Sequence, residues 1–228
     1  MFIVNHKGSS IKKKIKKNLS YDSLTCYTFS YGKRDGRQGV KGRFFCHLCV
    51  KECNEGMIDK QVQDIIIRYG GGIIRSALFY KTFFQKHHVV FNVGDHLLGV
   101  ATEAVGFCLK HSLAGEPFLD NVVKACLCHD LGIMGRKEKF TNDFQCLIWH
   151  PIHSVVVYRE LTRENNEIVV DSILSHMFPL KLRVPKYKEG WILIMADKKA
   201  AYSERLGKPL VSEEERKQIL LDAQKALS

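Results

Sequence analysis

Three features of the sequence predict an all-α fold. From Ile73 onward apolar residues recur at spacings of three and four, which is helical periodicity. No stretch sustains the strict alternation of a half-buried strand. Pro117 and Pro151 stand where the first turn of a helix accepts proline, its missing N–H being unpaired there in any case.

The elements follow in order. The first falls near residues 57–69, MIDKQVQDIIIRY, and Gly70, Gly71 and Gly72 are expected to break it. Ile73–Gln85 is a second helix. Asp95–Lys110 is a third, with Leu97, Leu98, Ala101, Val105 and Cys108 on a broad apolar face. Pro117 opens a helix to Cys128 that carries Val122, Val123, Cys126 and Leu127. Leu131–Trp149 is expected to be the least regular connection, and Pro151 to open the next helix, through Thr162. Glu167–His176 follows, then a loop bracketed by Pro179 and Pro185. Tyr187–Leu206 is a long helix, and Ser212–Leu227 closes the chain behind a capping box of Ser212 and Glu215. No internal repeat is present.

The chain has 228 residues, 45% hydrophobic and 26% charged, which is ordinary globular composition and excludes a collagen-like or wholly disordered chain. No apolar run reaches membrane-spanning length. The opening MFIVNHKGSS lacks the features of a secretory signal, so a cytoplasmic setting is expected. The eight Cys are then reduced thiols or metal ligands. Charge is uneven. Residues 1–45 hold 11 Lys and Arg against two Asp, a charge of +9, and leave +2 of the total +11 to the rest. Residues 1–56 are therefore expected to be a basic, Cys-containing extension, solvated and partly disordered, and residues 57–228 the helical domain. Such a split does not suit a uniformly basic nucleic-acid-binding domain.

Six metal-capable residues fall at or near the ends of the expected helices: His96, His129, Asp130, His150, His176 and Asp197. The densest signal is His129-Asp130 in ACLCHDLG, an ionisable pair at the end of an apolar helix, where charge without a partner is costly. Imidazole and carboxylate from different helices suit a divalent cation with open positions, such as Mn, Fe, Mg, Co or Ni. Such an ion acidifies a bound water enough to make hydroxide at neutral pH. Lys198, beside Asp197, is a candidate phosphate-binding and catalytic cation. Arg136 and Lys137 are further phosphate candidates, with solvated surface residues as the alternative for all three. His6 and His111 read as ordinary histidines, while His47, His87 and His153 stay open.

The order His96, His129-Asp130, Asp197 resembles the H…HD…D signature of the HD-domain phosphohydrolase superfamily. DHLLGVA looks like its first motif, ACLCHDLG its second, and IMADKKAA its last. HPIHS, SHMFPL and VPKYKEGWILIMADK resemble segments of small stand-alone bacterial HD proteins, and the spacing of His88 to His96 resembles their upstream histidine. The resemblance covers about residues 78–206. It implies an HD helical bundle that hydrolyses phosphate esters with one or two divalent metals. His96, His129, Asp130 and Asp197 would hold the first. Asp130, the central catalytic carboxylate, would bridge to a second held by His150 and His176. Ile133 and the lack of a GYP-like segment after His176 set the chain apart from the HD-GYP subgroup and argue against a cyclic dinucleotide substrate.

Cys46, Cys49 and Cys53 form C-x2-C-x3-C, with Cys26 upstream as a candidate fourth ligand. Structural zinc and free thiols both remain open for this cluster. The expected function is hydrolysis of the phosphate ester of a small metabolite or nucleotide. The rival is a nucleic-acid-associated regulatory protein in which the basic extension dominates.

Overall fold

The computed structural model describes residues 60–87 and 91–225, which lie within the unit Gly56–Ser228. The expected extension, residues 1–56, lies outside the described residues, and so do Cys26, Cys46, Cys49, Cys53, His6, His47 and His88.

The described residues are all-α: nine helices and one 3-10 turn, with a single isolated bridge, Lys86–Asn92. The helices are α1 (Lys60–Ile74), α2 (Ala77–Thr82), α3 (Val93–Lys110), α4 (Phe118–Cys128), α5 (Arg136–Lys139), α6 (Asp143–Thr162), α7 (Glu167–Ser175), α8 (Lys188–Arg205) and α9 (Glu213–Lys225). The 3-10 turn Leu131–Ile133 links α4 to α5. Among the described residues no helix is long and apolar enough to cross a membrane.

Helix α4 is the axis of the domain. Its sequence FLDNVVKACLC is apolar around most of its circumference, as a helix enclosed by neighbours requires. It packs against α1, α3, α7 and α8. Val122, Val123, Ala125, Cys126, Leu127 and Cys128 are wholly buried there. Each large apolar side chain so enclosed contributes roughly 1.5–3 kcal/mol relative to exposure. Helix α3 supplies the facing layer with Leu97, Leu98, Val100, Ala101, Ala104 and Val105.

Three expectations about boundaries are corrected. Gly70–Gly72 do not end the first helix, because α1 runs through them to Ile74. A Cβ on Gly70 would lie 2.2 Å from Leu127 Cδ1 and 3.1 Å from Val123 Cγ1, so this glycine lets α1 and α4 approach closely. The expected helix Ile73–Gln85 is broken at Ser76. Its hydroxyl caps a separate short helix by accepting from Phe79 N–H at 3.1 Å.

The third correction concerns α6. Pro151 does not open this helix but lies inside it. The N-cap is Asn142, whose Oδ1 accepts from Gln145 N–H at 2.8 Å. The expected irregular stretch Leu131–Trp149 therefore shrinks to the 3-10 turn, α5 and their flanks. An interior proline costs the helix one donor. The carbonyl left without that donor is Leu147; the neighbouring Ile148 carbonyl accepts from Lys181 Nζ at 2.7 Å. The capping box opening α9 forms as expected: Ser212 N–H donates to Glu215 Oε2 at 2.7 Å, and Glu215 N–H to Ser212 Oγ at 3.2 Å.

Candidate metal centre

Five helices converge on one buried point. His96 stands in the first turn of α3, and His129 caps the C-terminus of α4, with Asp130 next to it. His150 lies in the middle of α6, His176 caps the C-terminus of α7, and Asp197 lies in the middle of α8. All six are buried. They fall into two sets whose donor atoms lie within 4.8 Å of one another: His96, His129 and Asp197; and Asp130, His150 and His176.

The 3-10 turn after α4 seats Asp130. Gly132 N–H donates to Ser154 Oγ at 2.8 Å. A Cβ on Gly132 would lie 2.1 Å from the His150 carbonyl oxygen. Only glycine brings the turn this close to α6, and that approach sets Asp130 Oδ1 3.2 Å from His150 Nε2. On the other side the Gln85 side chain clamps the turn, Nε2 donating to the Ile133 carbonyl and Oε1 accepting from Gly135 N–H, both at 2.8 Å.

Hydrogen bonds settle how the rings face. His129, His150 and His176 each donate from Nδ1 to a main-chain carbonyl, of Cys126 at 2.9 Å, Cys146 at 2.9 Å and Ile173 at 2.7 Å. A carbonyl can only accept, so each ring in its neutral form keeps an Nε2 lone pair directed inward. Nε2 of His150 and Nε2 of His176 are 3.0 Å apart, with Asp130 Oδ1 at 3.2 and 3.4 Å from them. Three acceptors crowded this way repel unless a proton or a metal cation lies among them. An ion with ligand bonds of about 2.0–2.2 Å keeps its ligands about 3.0–3.5 Å apart, which is the spacing found. In the other set, Asp197 Oδ1 lies 3.3 Å from His96 Nε2 and 3.9 Å from His129 Nε2. The buried His129 Nε2 has no hydrogen-bond partner. The donor set therefore fits a divalent cation.

Protonation points the same way. Burial holds His129 down at about 4 against the carboxylates of Asp130 and Asp197, with His176 and His96 assisting, so its imidazole is neutral at physiological pH. Burial opposes the negative charge of Asp130, but His129, His150 and His176 outweigh it and hold this carboxyl well below the usual range. Asp197 is likewise held far below, by His96 and His129 against the effect of burial. Ligands must be deprotonated, and these three are. Burial disfavours a proton on His96, yet the carboxylates of Asp197 and Glu204 raise it to about 10. A bound cation would have to displace that proton.

Residues 93–220, more than half of the chain, match a family model described as HD domain. The chain belongs to the HD-domain family. No curated protein and no solved structure matches it. HD domains are all-α and belong to a superfamily of metal-dependent hydrolases, which generally bind divalent metals. The buried His and Asp sets of this HD domain could hold such ions.

The remaining predicted residues divide. Lys198 Nζ donates to Asp197 Oδ2 at 2.6 Å, so the structure brings it to the centre, half exposed. Arg136 is instead tied to Asp143 in the first turn of α6, and Lys137 is exposed on α5. His153 packs against Phe140, and His111 against Phe107.

Sequence reasoning missed three groups. His87, left open, has its Nε2 3.5 Å from Asp130 Oδ2 and its ring 4.4 Å from that of His96. It forms a third candidate donor set with those two residues. The upstream histidine assigned by resemblance, His88, lies outside the described residues, and its neighbour His87 stands at the centre. Burial disfavours a proton on His150, but Asp130 outweighs it and raises the ring above its ordinary value, with the nearby charge of Lys181 a small opposing effect. Glu204 backs His96, its Oε1 2.9 Å from Nδ1. Its signal was legible: seven residues after Asp197 in one helix is two turns along the same face.

Proposed function

We propose that this HD domain hydrolyses the phosphate ester of a small metabolite or nucleotide. The observation that carries the reading is Asp130, whose two oxygens face different donor groups. Oδ1 faces His150 and His176, and Oδ2 lies 3.7 Å from His129 Nε2 and 3.5 Å from His87 Nε2. A divalent cation bound there supplies Lewis-acid stabilisation of phosphoryl charge and lowers the pKa of water. The protein's own groups do the rest. Asp130 is held too acidic to be an effective proton acceptor near pH 7, so its part is to supply fixed charge and position. Lys198, half exposed beside Asp197, offers a cation to a phosphoryl oxygen. Lys181 adds positive charge at the His150 end. A charge of only +2 outside residues 1–45 favours a small substrate over a polyanion.

The test is a panel of phosphate mono- and diesters incubated with the purified protein and Mn, Mg, Fe, Co or Ni. Metal-dependent hydrolysis that vanishes in Asp130→Asn supports the reading. No hydrolysis of any ester with any metal refutes it. The +9 on residues 1–45 favours a second reading, a nucleic-acid-associated protein. Removing that segment separates the two, since the hydrolase keeps its turnover and the binding protein loses its salt-dependent affinity.

A further inference from the structure

His96 differs from the other donor histidines in what stands behind it. Nδ1 of His129, of His150 and of His176 each meets a neutral carbonyl of the residue's own helix. Nδ1 of His96 meets a carboxylate that comes from another helix 108 residues away. Glu204 is buried near the C-terminal end of α8, on the same face as Asp197. The two acids bracket one imidazole, Asp197 Oδ1 at 3.3 Å from Nε2 and Glu204 Oε1 at 2.9 Å from Nδ1. A buried charge is costly, and packing alone would be served as well by Leu or Met at this position. A function that needs the charge explains it better.

We infer that Glu204 is a positioning residue of the metal centre: through His96 it makes the His96–His129–Asp197 set hold a divalent cation more tightly than the Asp130–His150–His176 set. The inference rests on the metal-hydrolase reading above. A carboxylate behind an imidazole fixes its tautomer, locks its ring and makes the opposite nitrogen a stronger ligand. A carbonyl does the same less strongly, because it carries only a partial charge. The asymmetry therefore makes the two sets fill in order, the His96 set first.

The experiment is calorimetric titration of the chelator-stripped full chain with Mn2+, on the wild type and on Glu204→Gln, Glu204→Asp and His176→Ala. Melting is followed by circular dichroism. In Glu204→Gln the side-chain oxygen can still accept from Nδ1, so shape is kept and charge is lost. In Glu204→Asp charge is kept but the carboxylate withdraws by one methylene. The wild type is expected to bind in two phases. His176→Ala removes the weaker phase and leaves the tighter one. Either Glu204 variant weakens the tighter phase about 10–100-fold and leaves the weaker within about twofold, because loss of such backing costs metal affinity on that scale. A role in folding alone would weaken both phases together, and that result overturns the inference. So does an unchanged tighter phase in either cooperatively melting variant. Loss of the tighter phase in His176→Ala overturns the assigned order, whatever the Glu204 variants do. A wild type that takes up no Mn2+ overturns the metal reading itself, a result distinct from all of these.

Discussion

Replacing Gly132 by Ala tests how the turn after His129-Asp130 is held. The added Cβ would lie 2.1 Å from the His150 carbonyl oxygen, 2.5 Å from Ser154 N and 2.8 Å from Ser154 Oγ. Two of these atoms are main chain, so no side-chain rotation relieves the clash, and the turn must retreat from α6 by about 1 Å to restore van der Waals distance. Overpacking of this kind costs about 1–3 kcal/mol. The Gly132 N–H bond to Ser154 Oγ, now 2.8 Å, would lengthen and lose about 1 kcal/mol. The less flexible unfolded chain returns about 0.4–1 kcal/mol. The net loss is about 2 kcal/mol, which in a domain of this size lowers Tm by about 4–8 °C. The same retreat draws Asp130 Oδ1 away from His150 Nε2, now 3.2 Å, and should loosen metal held by Asp130, His150 and His176. Thermal unfolding by circular dichroism, with metal content by elemental analysis, reads both effects. A Gly132→Ala protein with wild-type Tm and full metal would refute the argument that this glycine seats Asp130.

Three further outcomes follow from the same geometry. Asp130→Asn should cut turnover at least about hundredfold, some 2.7 kcal/mol of barrier, and lower bound metal; full metal by elemental analysis would remove Asp130 from the ligands. Burial raises the thiols of Cys126 and Cys128 far above the usual range, so at pH 8 they stay protonated and should resist maleimide labelling until the protein unfolds, as peptide-level mass spectrometry would show. Burial opposes the charge of Lys124, but Glu164 and Asp120 raise its pKa above the ordinary value of 10.5. A raised cation stabilises fully below its unfolded pKa and loses that contribution as pH rises through its folded one. The stability gap between wild type and Lys124→Met, from urea unfolding, should therefore hold from pH 7 to about 10 and shrink above about 10.5; a gap that grows with pH would contradict the pairing.

The sequence by itself determined the helical class and singled out, in order, the six His and Asp residues that folding brings together. Helical periodicity repeats every few residues, and a His-Asp pair closing an apolar helix stands out without knowledge of its neighbours. Local chemistry also sufficed for the capping box, because Ser212 and Glu215 satisfy each other within a single turn. What only the tertiary structure decided depends on partners far along the chain. Gly70–Gly72 read as a break, yet Gly70 serves a contact with Leu127 on α4. Pro151 read as a helix start, but the helix is opened by the Asn142 cap nine residues before it, and a lysine from the loop after α7 reaches a carbonyl close to the proline. Lys198, beside Asp197 in the chain, is by sequence the first candidate phosphate cation and Arg136 a further one; folding ties Lys198 to Asp197 and Arg136 to Asp143. His87 carries no local mark of function, and Glu204 only its place two turns after Asp197 on one helix face. They become part of the centre because α3, α4 and α8 close around them, and side-chain distances between separate helices are set by packing, which local periodicity does not encode.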